Sequence, residues 1–207
     1  MTGVITHILS DLGGVIIEIE PAKTRETFRM LGVGDIDQIY LDLLESGSWD
    51  DLETGRMSWD DFATHLEARI EEPFDRKWFN EAWDAMLLGI PPERIDIIGH
   101  LKQHYRLALV SNTNPRHVFR INQYLEQAYQ SEPLNKLFDS CYLSYELGMQ
   151  KPDPALFRHI IRSEQLNPKT TLFIDDSEEH IEMADKLGFQ TEWVQEGNRF
   201  EDIFAWI

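Results

Sequence analysis

The 207-residue chain has a single cysteine, Cys141. No intrachain disulfide can form, and one thiol points to a reducing compartment. Long apolar runs are missing as well; none approaches the length of a membrane span. The N-terminus has neither the basic start nor the small-residue cleavage site of a signal peptide. A cytoplasmic location is therefore the expectation. Basic runs are also absent: 19 Lys and Arg stand against 37 Asp and Glu, for a formal net charge of −18. Such a chain repels nucleic acid and anionic membranes, so neither is expected as a partner. A small anionic ligand would need local help against that field, from a cation or a metal. There is no internal repeat and no low-complexity segment, and nothing calls for an obligatory protein partner. The length suits one ordinary domain, or a core domain with an inserted subdomain.

Short apolar segments read as strands: Val4–Leu9, Leu107–Val110, Cys141–Leu143, Thr171–Ile174 and Thr191–Val194. Helices alternate with the later ones. Asn114-Pro115 and Asp153-Pro154 each pair an N-cap with proline at the first helical position. Leu156, Phe157, Ile160 and Ile161 share one helical face. Ile181, Ala184 and Leu187 recur at three-residue spacing, and Gly188 suits a C-cap. Strand–helix alternation predicts a parallel sheet with right-handed crossovers. Residues 21–89 differ, reading as helices throughout. Ser58 to Asp61 resembles a capping box. Trp49, Trp59, Trp78 and Trp83 lie in this stretch and suggest a small hydrophobic core of its own. A helical insert placed directly after the first strand would sit as a lid over that strand's C-terminal end. Pro91-Pro92 marks the return to the sheet.

Four strand ends carry chemistry. The first strand delivers Asp11, and Gly13-Gly14 lets the backbone turn sharply and approach a ligand. Leu107–Val110 runs into Ser111-Asn112-Thr113-Asn114 at a helix start, where a hydroxyl, an amide and unpaired N–H groups suit an anion. Lys151 precedes Pro152, which restricts its backbone to extended conformations. Asp175-Asp176 closes the strand Thr171–Ile174, and two adjacent carboxylates repel each other unless a cation is present. Oxygen-only ligands suit Mg²⁺. Each feature has an ordinary alternative: a turn with an Asp, a strand-to-helix turn, a surface lysine, an acidic turn. In one parallel sheet, however, the four ends converge on one edge, where ligands bind in open α/β sheets.

This order of motifs resembles the haloacid dehalogenase superfamily over essentially the whole chain. The stretches DLGGVII, LVSNTNPRH, YLSYELGMQKPDPALF and FIDDSEEHIEMADKLG are similar to the branch of α-D-glucose-1-phosphate phosphatases and of the phosphatase-like domain of soluble epoxide hydrolases. The resemblance implies a Rossmann-like α/β core, residues 1–17 and 90–207, with a helical C1 cap at 18–89. It implies a Mg²⁺-dependent phosphatase acting on a small phosphorylated metabolite such as a hexose 1-phosphate. Asp11 would be the nucleophile, forming an aspartyl-phosphate. Ser111, Asn112 (through its backbone) and Lys151 would hold the phosphoryl oxygens. Asp11, the Gly13 carbonyl and the acidic pair would hold the metal. Asp176 would be the direct ligand, while Asp175 would act through water or by orienting Lys151. The usual second aspartate, two residues after the nucleophile, is here Gly13. That leaves the leaving-group proton without an obvious donor; His117 is one substitute, against its reading as a satisfied or exposed histidine. His180 receives no catalytic role. Specificity residues are expected in the cap, near Trp49 and Glu53. The alternatives are a metal-independent 2-haloacid dehalogenase and a degenerate phosphate-ester-binding protein.

Overall fold

The computed structural model of the protein describes residues 4–70 and 75–205. Its strands are β1 (His7–Ser10), β2 (Glu18–Ile19), β3 (Leu87–Gly89), β4 (Arg106–Ser111), β5 (Ser140–Leu143), β6 (Thr171–Asp175) and β7 (Gln190–Trp193). Five of them form one sheet in the order β5-β4-β1-β6-β7, and every adjacent pair is parallel. Strand β1 is central, and strand order reverses on either side of it. That reversal is where a doubly wound sheet opens a crevice beyond its carboxyl ends. All five expected strands are present, with ends shifted by at most three residues.

Successive side chains of a strand point to opposite faces, and the apolar runs feed both. Ile8, Leu107, Leu109 and Ile174 enter one buried cluster. Their chain neighbours Leu9, Ala108, Val110 and Phe173 enter another. Burial on both faces explains why these strands read as unbroken apolar runs. The helices covering the faces are α6 (Pro92–His104), α7 (Pro115–Tyr129), α10 (Pro154–Glu164) and α11 (Glu178–Lys186), with short turns α8 (Leu134–Leu137), α9 (Ser144–Leu147) and α12 (Phe200–Ile203). The caps behave as their sequence suggests. Asn114 accepts from the His117 N–H, and Asp153 from the Ala155 N–H. Leu156, Phe157 and Ile160 are buried. Gly188 follows α11 with φ +87, a left-handed conformation that suits glycine.

Helices α1 (Pro21–Met30), α2 (Ile36–Glu45), α3 (Ser48–Glu53), α4 (Trp59–Glu67) and α5 (Arg76–Asp84) surround a third cluster. Ser58 caps α4 by accepting from the Asp61 N–H, and its hydroxyl donates to the Asp61 carboxylate. Trp83 packs against Trp49 and Trp59 with ring centroids 5.3 and 5.4 Å away. Trp78 departs from the expected role: it is half exposed and outside this core. A second correction concerns the all-helical reading of 21–89. Strand β3 lies inside that stretch and pairs antiparallel with β2, Glu18 opposite Gly89 and Ile19 opposite Leu87. Strands of two or three residues are too short to show a period-2 pattern. This ribbon joins the two chain crossings between the sheet and the helices.

Candidate active site

Asp11 prolongs β1. Its N–H donates to the Ile174 carbonyl of β6 at 2.9 Å, and Ser10 is in register with Ile174. Asp11 therefore stands level with Asp175. Between them lies the Lys151 ammonium, 2.8 Å from Asp11 Oδ1 and 2.7 Å from Asp175 Oδ2. Lys151 is only 2% exposed and Asp175 is fully buried.

Two contacts fix Lys151. The Asn112 side-chain carbonyl accepts from the Lys151 N–H, and its amide donates to the Lys151 carbonyl, both at 2.8 Å. Pro152 restricts the Lys151 backbone from one side, and Asn112, 39 residues away, brackets it from the other. The Asn112 side chain is thus committed to the lysine loop, leaving the main chain at that position for an anion. Ser111 ends β4, buried, its hydroxyl 3.4 Å from the Asn112 carbonyl. Gly13 bridges to Ile17 in the turn after β1.

The charges are strongly coupled. Burial pushes the Asp11 carboxyl up to about 7, with Lys151 pulling it down and Asp175 and Asp176 adding to the rise. Burial also raises Asp175, but Lys151 and His180 outweigh it and hold this carboxylate below its ordinary range. For Lys151, burial opposes the charge, yet Asp11 and Asp175 keep the ammonium above its usual pKa. Asp176 is raised by burial first and by Asp175 next.

Asp175 has both oxygens engaged by the protein. Oδ2 takes Lys151, while Oδ1 takes the Ser177 N–H at 2.9 Å and lies 2.8 Å from His180 Nδ1. His180, given no role from the sequence, is therefore a direct partner of the acidic pair. Its only sequence signal is its place in the first turn of the helix that follows the acidic pair. Asp176 brings a third carboxylate. Oxygens of Asp11, Asp175 and Asp176 all lie within 4.8 Å of one another. One lysine cannot balance three carboxylates, and an all-oxygen set on a strand edge fits a hard divalent cation such as Mg²⁺. Gly14 makes the room. It adopts φ +71, and a Cβ there would lie 2.0 Å from Asp176 Oδ2. Gly14→Ala is expected to displace Asp176 and weaken divalent-cation binding by about 10–100-fold. Calorimetric titration with MgCl₂ measures this; unchanged affinity would remove Asp176 from the ligand set.

His117 is no proton donor. It is buried, stacked on Trp83 at 5.7 Å, and burial lowers it to about 4. The ring is neutral at physiological pH, and its place is structural.

A family model described as haloacid dehalogenase-like hydrolase matches residues 5–188. The chain belongs to this hydrolase family. Among its relatives is a D-ribitol-5-phosphate phosphatase from Bacteroides thetaiotaomicron, 33% identical over 201 residues, covering 93% of this chain and 96% of the relative. Among solved structures, a haloacid dehalogenase family enzyme of Bacteroides thetaiotaomicron, in complex with magnesium and inorganic phosphate, matches with TM-score 0.87 and 29% identity over 97% of this chain and 99% of that one. A hydrolase structure from Porphyromonas gingivalis gives TM-score 0.83 and 30% identity over 98% and 97%. The parallel sheet with β1 at its centre is thus a haloacid dehalogenase-like core. Among the described residues no helix is long and apolar enough to cross a membrane.

Proposed function

We propose that this hydrolase is a magnesium-dependent phosphatase that cleaves a small sugar or polyol phosphate through an aspartyl-phosphate on Asp11. The observation that carries the reading is the buried Lys151 ammonium between Asp11 and Asp175, with Asp176 beside them. Asp11 is the one carboxylate in this set placed to attack, at the end of the central strand. Lys151 holds it and offers its charge to a phosphoryl oxygen; Ser111 and the main chain at Asn112 complete the anion site. Asp11, Asp176 and the Gly13 carbonyl would hold Mg²⁺, which when bound offsets repulsion between Asp11 and a dianionic phosphate. Asp175 is already engaged by Lys151, His180 and the Ser177 N–H, so its part is to orient the lysine. Residues 1–17 and 90–207 act as the catalytic core, and 18–89 as the cap that closes over it.

A metal-independent dehalogenase has no use for Asp176 in this cluster, and a degenerate binder has no use for the Asp11–Lys151 pair. The resemblance of the motifs favours a hexose 1-phosphate; the name of the 33% identical relative favours a pentitol 5-phosphate. Both are phosphate monoesters of polyhydroxylated chains. A phosphate-release screen over sugar, polyol and nucleotide phosphates with Mg²⁺ separates them. Excess EDTA is expected to bring turnover to background, and MgCl₂ to restore it. Full turnover in EDTA would refute the metal requirement.

A further inference from the structure

We propose that Glu53, carried to the site by the helical segment, donates the proton to the leaving alcohol in the place that Gly13 leaves without an acid. The inference rests on the phosphatase reading above.

The backbone makes the placement. Glu53 is the last residue of α3, and α3 packs against α9 of the sheet domain. Two residues further on, Gly55 adopts φ +70, and a Cβ there would lie 2.1 Å from the Tyr145 carbonyl oxygen. Gly148 meets the same turn: a Cβ on it would lie 3.9 Å from the Thr54 carbonyl. The end of α3 is thus seated, backbone to backbone, on the loop that leads directly into Lys151. Only glycine at 55 allows so close an approach.

The surroundings match the role. Glu53 is half-buried, although it ends a helix in a chain with 37 acidic residues, most of them on its surface. Its neighbours come from several elements. Asp50 lies on its own helix, Asp11 at the end of β1 and Lys151 in the loop after α9, and all three act on it electrostatically. Trp49 lies one turn before it on α3, and the Trp49 ring is held by Tyr40 of α2 at 5.3 Å. Burial, with Asp50 and Asp11 adding to it, raises the Glu53 carboxyl to about 7. At neutral pH it holds a proton in a substantial fraction of molecules, as a general acid must.

The chemistry balances. An Asp11 oxygen bonds to phosphorus as the bond from phosphorus to the alcohol oxygen breaks. The electron pair goes to that oxygen, which takes the Glu53 proton. In the second step a water oxygen bonds to phosphorus, the bond to Asp11 breaks, and the water proton goes to Glu53. The sum is ester plus water giving alcohol plus inorganic phosphate, with Asp11 and Glu53 restored.

The test compares an alkyl phosphate, ribitol 5-phosphate or glucose 1-phosphate according to which is turned over, with p-nitrophenyl phosphate, whose leaving group departs unprotonated. In Glu53→Gln, kcat on the alkyl ester is expected to fall by about 10²-fold or more. The pre-steady-state rate of p-nitrophenol release, which reports the first step alone, should stay within about threefold of the parent, since no acid is needed there. Wild-type kcat/KM on the alkyl ester should decline above about pH 7 as Glu53 loses its proton. That limb should vanish in Glu53→Gln and persist in Glu53→Asp, which also guards against a misfolded variant. Gly13 does not adopt a positive φ, and a Cβ there meets only the Ile19 side chain, at 3.2 Å. Gly13→Asp is therefore expected to rescue alkyl-ester turnover in the Glu53→Gln background. If Glu53→Gln slows p-nitrophenol release and alkyl turnover equally and keeps the alkaline limb, the inference is overturned while the phosphatase reading stands. If the wild-type protein with Mg²⁺ releases phosphate from neither ester class, it is the phosphatase reading that fails.

Discussion

Asp11→Asn is expected to reduce phosphate release by a factor on the order of 10⁴ or more, because on the proposed mechanism the covalent intermediate forms on Asp11. Ser111 is buried against its own loop, and Asp175 is held by Lys151, His180 and the Ser177 N–H. The fold should survive. Lys151 keeps Asp175 as its partner, and the substitution removes a carboxylate that burial already disfavours. Linkage sets the sign. The Asp11 pKa rises from 3.8 to about 7 in the metal-free folded chain. Between those values the folded state holds a proton that the unfolded chain has released, so this group costs stability as pH rises through the window. Metal-free Asp11→Asn should therefore melt higher than the parent at pH 8, by roughly 2–4 °C for each kcal/mol of relief, and lose that advantage near pH 4. Calorimetry at the two pH values, beside a phosphate-release assay, checks both halves. Turnover within tenfold of the parent would rule Asp11 out as nucleophile.

Lys151→Ala should damage both catalysis and stability. Removing one member of a buried ion pair costs about 3–5 kcal/mol, because the charges left behind have no partner. Here two carboxylates, Asp11 and Asp175, lose the same cation. At roughly 2–4 °C per kcal/mol the melting temperature should drop by about 10 °C. Turnover should fall by about 10²-fold or more with the loss of a preorganised positive charge at the phosphoryl group. Lys102→Ala and Arg120→Ala are the controls. Lys102 is half-buried and donates to the Lys136 carbonyl, away from the acidic cluster. Arg120 lines the surface cleft beside Asp84 and Arg116. Both variants should stay close to the parent. Equal losses in all three would mean that Lys151 has no special position.

The sheet was legible because strands buried on both faces are unbroken apolar runs, and because Asn-Pro and Asp-Pro pairs marked where helices begin. The motif residues Asp11, Lys151 and Asp175 were legible for a related reason: each follows an apolar run or sits beside a helix start. Long-range detail was not. Nothing in the spacing of Asn112 and Lys151 shows that one side chain brackets the other's backbone. His180 looks like any surface residue in the first turn of a helix until Asp175 turns toward it. The β2–β3 ribbon escaped because two short strands carry no period. His117 carried two readings, a substitute proton donor and a satisfied or exposed histidine, and Trp83, 34 residues upstream, makes it part of a packed seam.

That ribbon has a mechanical consequence. The chain leaves the sheet domain at Glu18–Ile19 and returns at Leu87–Gly89, and the two crossings are hydrogen-bonded to each other. Gly89 is pinned on α7, where a Cβ would lie 2.7 Å from the Tyr124 hydroxyl. Shear along such a strap would break paired hydrogen bonds, whereas bending across it keeps them. Any rotation of the five helices against the sheet would therefore bend this strap rather than shear it. Gly55, seated against the Tyr145 carbonyl, would be the contact that such a rotation makes and breaks.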